Sequence, residues 1–438
     1  MSRLAGSVPA CRKQVRVGIL GFGVVGSGVY RMLQANADAI HARIGSTIEV
    51  VAIGIRDAAK PRDVPAALLT TNLDAIVNDP SIDVVLELIG GTDPAAGLVE
   101  RALRNGKSVV TANKELIAKD GARLVELAKA NGLDLHFEAA VGGGIPLVQP
   151  LKHQLAGNDV LKLMGILNGT TNFILTKMSL EGGEFADVLA DAQAQGYAEA
   201  DPTNDVDGID AAYKLAILGS IAFGRHVHID GVYCEGMRGI QARDLEFANV
   251  LGYRIKLLGI VEPVGEDAVL ARVHPALIPK THPLSTVEGV YNAVWIHGDF
   301  VGDVMFSGRG AGSDPTASAV VGDLIDVGRN LNAQGPGSAI PIGAAIRTVS
   351  IDELETEYYV RVIVKDQPKV LGNIALALGD HGVSLAAMEM RVLDAEQMRG
   401  EIVFLTHTSR EARFRSALEQ IVRERLVESV EAWFRVVA

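Results

Sequence analysis

Val15-Arg-Val-Gly-Ile-Leu20 runs directly into Gly21-Phe22-Gly23-Val24-Val25-Gly26, and the apolar stretch continues to Tyr30. A short apolar run reads as a buried strand, and G-x-G-x-x-G between a strand and a helix reads as a dinucleotide-binding turn. The first glycine permits the tight turn, the second lets a pyrophosphate approach the backbone, and the third lets strand and helix pack closely. The helix that follows offers unpaired N–H groups and the positive end of its dipole to phosphates. Arg3, Arg12, Lys13 and Arg16 ahead of the run, with Ala35-Asn36-Ala37 behind it, also fit a secretory signal and its cleavage site. The glycine punctuation favours strand, turn and helix instead, and cleavage there would discard the turn.

Outward from this turn, to about Gly144, short apolar runs alternate with helical patterns. Strands are expected at 15–20, 48–55, 83–89, 108–111 and 133–141, and helices at 95–105 and 114–130. That alternation predicts an α/β fold with a Rossmann-type, doubly wound parallel sheet. Beyond Pro146 a strand at 161–167, helices at 185–195 and 209–223, and antiparallel strands between 253 and 306 predict an α+β domain. A Gly-rich loop and helix follow at 308–330, then a turn or linker at 333–338. The last segment reads strand, helix, strand, strand, helix, strand, which is the ferredoxin-like order. Its strands are expected at 358–364, 383–391, 401–407 and 427–437, and its helices at 368–380 and 409–422. The expected organisation is an extension at 1–13, a dinucleotide-binding domain at 14–145 completed by 308–345, a catalytic domain at 146–307 and a C-terminal module at 346–438.

A chain of 438 residues has material for about two or three domains, and 48% hydrophobic against 21% charged residues suits a globular protein. A net charge of −12 argues against nucleic acid as a partner, because that affinity needs a basic face. Cys11 and Cys234 are the only cysteines, so neither a disulfide framework nor a Cys/His metal site is expected, and a reducing, cytoplasmic setting follows. No stretch approaches the roughly 18–20 apolar residues that a bilayer span needs.

Several polar clusters fall where chemistry is expected. The second strand ends in Arg56-Asp57; a guanidinium there favours the extra phosphate of NADP(H), whereas Asp57 on the ribose would favour NAD(H). Thr111-Ala-Asn-Lys114 lies just past the carboxyl end of the strand read as fourth, the rim where open α/β sheets bind ligands. Glu138-Ala-Ala-Val-Gly-Gly-Gly-Ile-Pro146 ends the next strand, and its glycines suit either backbone approach to a ligand or a sharp crossover between domains. The segment from Tyr197 to Lys214 is the densest in polar groups, with Asp201, Asp205 and Asp207 read as a loop. Asp210 and Lys214, four apart, share a helix face. Spacing alone slightly favours capping aspartates and a surface ion pair over a catalytic cluster.

Together Gly21–Gly26, Thr111–Lys114, 138–146, Gly165-Ile-Leu-Asn-Gly-Thr-Thr-Asn172, 196–214 and Gly308-Arg-Gly-Ala-Gly-Ser-Asp-Pro-Thr-Ala317 resemble homoserine dehydrogenase, in order and context, over about residues 15–345. With no kinase segment ahead of the glycine turn, the resemblance is to the monofunctional form. It implies interconversion of L-homoserine and L-aspartate 4-semialdehyde in threonine, methionine and isoleucine biosynthesis, by a homodimer or homotetramer. It also implies that Lys214 moves the proton at the substrate oxygen, that Asp210 orients it, and that Lys114 shares the proton work beside the nicotinamide. Glu199 and Asp205 would hold the α-ammonium, with Gly169, Thr170 and Tyr197 lining the pocket. Cofactor contacts would come from Gly21, Phe22, Gly23, Val24, Val25, Gly26, Arg56, Thr92, Lys114 and Gly312. A structural sodium ion would be held by the backbone at Glu138, Val141, Gly143 and Ile145. A related two-domain dehydrogenase of amino acids or aldehydes, and a non-catalytic sensor of nucleotide and amino acid, are the alternatives; the presence of both lysines speaks against the sensor.

Tyr358-Tyr-Val-Arg-Val-Ile-Val-Lys-Asp-Gln-Pro-Lys-Val-Leu371 and Gly382-Val-Ser-Leu385 resemble an ACT domain, an amino-acid-sensing module. In this family it implies feedback control by L-threonine. Lys369, however, stands where the family usually has glycine, and its side chain would hinder approach of a ligand to the backbone. Threonine control and a purely oligomerising role are both open.

Overall fold

Val15, Val17, Ile19 and Leu20 are wholly buried, as a central parallel strand requires. The computed structural model describes residues 13–337, 339–394 and 396–437, so nearly all of the expected extension at 1–13, including Cys11, lies outside it. Gln14–Leu20 is the third strand of a six-stranded sheet that runs Leu69–Thr70, Thr47–Gly54, Gln14–Leu20, Val84–Glu87, Ser108–Thr111, Leu135–His136. Every pairing within it is parallel. This is the doubly wound order, with its switch point between Gln14–Leu20 and Val84–Glu87. The strand Leu69–Thr70 and the helices Ala37–Ile44 and Leu73–Asn78 lack a legible periodicity, so Ser108–Thr111 is the fifth strand in sequence and not the fourth.

The last strand is much shorter than its apolar run suggests, ending at His136 and giving way to a 3-10 turn over Glu138–Ala140. The buried Glu138 carboxylate ends it by accepting from the backbone N–H groups of Leu147, Val148 and Gln149 at 2.6, 2.9 and 2.8 Å. Burial and the neighbouring Asp323 push Glu138 up to about 7. Burial opposes charge on His136, but Asp134 and Asp323 outweigh it and push the imidazole up to about 9. The stretch 17–30, which also fitted a secretory signal, is core strand and helix; Val29 and Leu33 of the helix Val24–Ala35 are buried.

Contacts divide the chain into two units. The first takes residues up to Gly157 with Ala216–His228 and Gly308–Ala345; the second takes Asn158–Leu215, Ile229–Ser307 and Ile346–Ala438. The second unit is built on one large mixed sheet. The strands Tyr253–Val264 and Ala268–Pro279 pair antiparallel along their whole length at its centre. The far side of Ala268–Pro279 is covered in turn by Arg347–Thr348, Tyr233–Cys234 and the last strand, Ser429–Val436, each a short parallel pairing. From Ser429–Val436 the same sheet continues through Glu355–Lys365, Arg399–Thr406 and Leu385–Asp394, all antiparallel. With the helices Val370–Asp380 and Glu411–Arg423 this completes the expected ferredoxin-like module.

Lys369 caps the helix Val370–Asp380 in the left-handed region, φ 76°. The position therefore asks for a conformation that glycine adopts freely and a side chain adopts at a cost of about 1 kcal/mol.

Candidate active site

In the first unit the glycine turn is shaped by three different constraints. Gly21 has φ 98°, donates its N–H to the Gly54 carbonyl at 3.0 Å, and leaves no room for a Cβ, which would lie 2.7 Å from the Leu88 carbonyl oxygen. A Cβ on Gly26 would lie 2.3 Å from the Gly21 oxygen. A Cβ on Gly23 would meet nothing within 4 Å. Gly23 also begins the helix Val24–Ala35 without a side-chain cap, so the first N–H groups are left to face whatever occupies that space. The open cradle is the fit that a pyrophosphate needs. Phe22 lies within the turn, and Val24 and Val25 open the helix, with Val24 largely exposed.

A second uncapped helix start lies beside it. Ser313–Asn332 begins after Gly312, φ 114°, and Ser313 Oγ donates to the Val24 carbonyl at 2.9 Å. Gly28 admits this approach, since a Cβ there would sit 2.7 Å from Ser313 Oγ. Gly143 and Gly144 serve the same end. A Cβ on Gly143 would lie 2.6 Å from the Gly310 carbonyl, and one on Gly144 would lie 2.8 Å from Pro315. Their direct role is thus to let the chain at 310–315 lie against them.

The rim holding Lys114 is built by Thr111 and Asn113 of the quoted motif together with Glu87, which the sequence pattern did not single out. Glu87, fully buried at the end of its strand, accepts from Thr111 Oγ1 at 2.6 Å and from the Ile89 N–H at 2.9 Å. Asn113 caps the helix Lys114–Ala130 through the Leu116 N–H at 3.1 Å and donates to the Gly91 carbonyl at 2.6 Å. Lys114, half-buried, is therefore the first residue of a firmly anchored helix. Thr92, also half-buried, starts the next turn, its carbonyl accepting from Ala96. Arg56 is exposed just past its strand, and Asp57 turns its carboxylate to the Ala59 N–H at 2.9 Å. Among the described residues no cluster of three or more His, Cys, Asp or Glu side chains could hold a metal ion. At the expected sodium site the Glu138 carboxylate is already engaged, and its carbonyl accepts from the Val141 N–H at 3.3 Å. Gly143 and Ile145 follow in the same turn, where Ile145 N–H bonds the Gly142 carbonyl at 2.9 Å.

In the second unit the expected surface ion pair is a buried one: the Lys214 and Asp210 side chains are 10% and 6% exposed. Lys214 Nζ donates to Asp210 Oδ2 and to the Leu167 carbonyl, both at 2.7 Å. Asn168, quoted in a motif but given no role by the sequence, organises the cluster. Its Oδ1 caps the helix Gly169–Glu181 through the Thr171 N–H, while its Nδ2 donates to Asp205 at 2.7 Å and to Asp210 at 2.9 Å. Asp205 sits on a one-turn helix, Thr203–Val206, and not in an open loop. Burial pushes its carboxyl above the usual range and Asp210 adds to the effect, against hydrogen bonds from Asn168 and Thr170. Its ionised form therefore gains from any cation brought beside it.

Gly169 begins its helix close-packed, a Cβ there lying 2.7 Å from the Val290 carbonyl. Thr170 Oγ1 donates to the Tyr197 carbonyl at 2.6 Å, and the exposed Tyr197 ring packs at 4.7 Å from that of Phe173. Glu199 is exposed on the following loop and shares no hydrogen bond with the Asp205 cluster among the described residues; its carbonyl accepts from Gln193 Nε2 at 3.0 Å. An asparagine directly ahead of the stretch 169–181, a residue type favoured as an N-cap, was the only available signal for Asn168.

A doubly wound sheet with an open cradle at its glycine turn, in a chain that elsewhere buries a lysine against a carboxylate, has what a nicotinamide-dependent dehydrogenase requires. Comparison with known proteins narrows the class. Residues 146–325 match the family model described as homoserine dehydrogenase, residues 21–138 that of the homoserine dehydrogenase NAD binding domain, and residues 358–425 that of the ACT domain. The homoserine dehydrogenase of Synechocystis is 45% identical over 435 residues, covering 97% of this chain and 100% of the relative. The crystal structure of a homoserine dehydrogenase from Thiobacillus denitrificans aligns with TM-score 0.91 at 42% identity, covering 97% of this chain and 98% of that one. A hyperthermophilic archaeal homoserine dehydrogenase mutant in complex with NADPH aligns with TM-score 0.61 at 28% identity, over 72% of this chain and 97% of that one. The chain belongs to the homoserine dehydrogenase family, NAD(P)-dependent oxidoreductases that act on a CH–OH group.

Proposed function

We propose that the chain interconverts L-homoserine and L-aspartate 4-semialdehyde, in the supply of threonine, methionine and isoleucine. The observation that carries this is the buried cluster of Lys214, Asp210, Asn168 and Asp205, an ammonium group held beside carboxylates. Oxidation of the alcohol removes a hydride from carbon and a proton from oxygen, and a nicotinamide cofactor held at the glycine turn would supply the hydride acceptor. In reduction of the aldehyde the Lys214 ammonium gives its proton to the substrate oxygen, and in oxidation the amine so formed takes it back; Asp210 orients Lys214, and Lys114 assists. Asp205 and Glu199 hold the substrate's α-ammonium, and Gly169, Thr170 and Tyr197 line its pocket. Gly21 to Gly26, Arg56, Thr92 and Gly312 hold the dinucleotide. A sodium ion at the carbonyls of Glu138, Val141, Gly143 and Ile145 is part of the same reading, supported only by the tight turn that gathers those residues.

The division of labour proposed is nucleotide binding by 14–145 with 308–345, catalysis and dimerisation by 146–307, and regulation by 346–438. No described helix is long and apolar enough to cross a membrane. The reading includes action in the cytoplasm as a homodimer or homotetramer.

Homoserine-dependent reduction of NADP+ and NAD+, followed by absorbance in the full-length chain, tests the activity and the cofactor preference together. NADP+ is expected to give the higher kcat/KM, and Arg56→Ala to erase that advantage by about tenfold, the worth of one exposed charge-assisted contact to phosphate. A strong NAD+ preference untouched by the substitution ends the assignment of Arg56. No turnover of homoserine with either cofactor ends the functional reading itself.

Control by L-threonine at the ACT module is proposed with it. Threonine is expected to inhibit weakly, and Lys369→Gly to lower the half-inhibitory concentration severalfold by clearing the turn at φ 76°. Activity indifferent to threonine in both forms leaves the module an oligomerising one.

A further inference from the structure

The chain that carries Asp205 and Asp210 is gripped by residues 234–238. Cys234 Sγ donates to the Asp207 carbonyl at 3.2 Å and the Met237 N–H to the Val206 carbonyl at 2.9 Å. Arg238 Nε donates to Asp207 Oδ1 at 2.5 Å, and its Nη2 reaches Thr203 Oγ1 at 3.3 Å. The contact is as close as backbone permits. A Cβ on Gly236 would lie 2.8 Å from both the Val206 oxygen and the Asp207 Cα, so the two segments move together or not at all.

Glu235 lies inside this grip and points the other way. Its N–H bonds the Val273 carbonyl at 2.8 Å, while its Oε2 accepts from Tyr233 OH at 2.8 Å and from Arg435 Nη1 at 2.9 Å. Arg435 belongs to the final strand of the ACT module and is 1% exposed. Its other N–H groups hold the fully buried Glu411 at 2.7 and 2.6 Å, which fixes the guanidinium in place. The strand itself is fixed by pairing Arg435 opposite Ala276. A buried cation of the ACT module thus ends on the segment that clamps the chain at 203–207, within which Asp205 lies and which leads into the helix carrying Asp210. Arg435 is buried while the Glu235 side chain is 32% exposed, so the pair has one end out of water, and losing Glu235 leaves a buried guanidinium short of a partner.

We propose that Glu235 is a positioning residue for the substrate site. Held by Arg435, it sets the placement of residues 234–238 and, through them, the placement of Asp205 and Asp210. The proposal rests on the reading of those two aspartates as substrate-site residues. Its consequence is selective: whatever shifts Arg435 changes homoserine affinity and leaves cofactor affinity alone.

The test uses the full chain with Glu235→Gln, which keeps the shape and removes the charge. Homoserine KM is expected to rise about five- to tenfold, the range of a modest coupling between sites, with the cofactor KM within about twofold. Arg435→Lys is expected to give the same signature, and the double variant to be no worse than the more affected single one, since both break one link. Glu235→Asp, which keeps the charge, is expected to recover most of the wild-type KM. Should Glu235→Gln not fold, Glu235→Asp and Arg435→Lys carry the same readout, with a rise smaller in the first than in the second. A lowered melting temperature with homoserine KM unmoved, or an equal rise in both KM values, overturns the proposal by reducing Glu235 to packing. Failure of the wild type to oxidise homoserine overturns the substrate-site reading and this proposal together, whereas turnover with an unmoved KM overturns this proposal alone.

Discussion

Lys214→Ala is expected to lower turnover about 10²- to 10⁴-fold, the usual contribution of a positioned acid–base group, while cofactor affinity stays within about twofold. The two effects separate because the Lys214 ammonium is bonded to Asp210 and to the Leu167 carbonyl, neither of which belongs to the glycine turn. Such a loss corresponds to roughly 3–5 kcal/mol of transition-state stabilisation. The substitution also leaves Asp210 buried without its ammonium partner, so some stability is lost as well. The measurement is therefore kcat under conditions where the melting curve shows the variant folded, beside a fluorescence titration of the cofactor. Near-normal turnover in that folded variant removes Lys214 from the mechanism.

Gly23→Val and Gly26→Val are expected to fail in opposite ways. At Gly23 the added side chain meets open space, so the variant melts like the wild type without cofactor yet binds the dinucleotide at least about 100-fold more weakly, having filled the space a pyrophosphate needs. At Gly26 the Cβ collides with the Gly21 oxygen at 2.3 Å, so the sheet and helix must separate and stability falls by about 3 kcal/mol or more whether or not cofactor is present. Melting curves with and without NADP(H) distinguish the two. A Gly23→Val protein that still gains full thermal protection from the cofactor would show that the cradle lies elsewhere.

The glycine turn, the doubly wound order and the ferredoxin-like module were legible because each rests on local periodicity and on glycines with separate steric duties. Elements without such a signature were not. Leu69–Thr70 is two residues long, and the strand ending at His136 is cut short by a carboxylate whose partners lie nine to eleven residues on. The candidate site shows the same division. Asp210 and Lys214 could be paired by spacing, but their burial could not be foreseen, because it depends on Leu167 and Asn168, the link between the strand Val160–Ile166 and the helix Gly169–Glu181. Glu87 stood as one acid in an apolar run, and only the fold shows that it ties Thr111 to the loop at 89–90. Glycines 142–144 suited a ligand or a crossover equally well in the sequence, and contact with the chain at 310–315 is what Gly143 and Gly144 make.

The far edge of Ala268–Pro279, closed in succession by three short strands, carries one last implication. Ending the chain near residue 345 would strip away two of the three and bare the main-chain groups around Val269 and Leu277 to any neighbouring molecule. The C-terminal module is consequently no detachable accessory. A chain cut at that point should come out of cells as insoluble material, and the proposed control by threonine is better probed by changing single side chains.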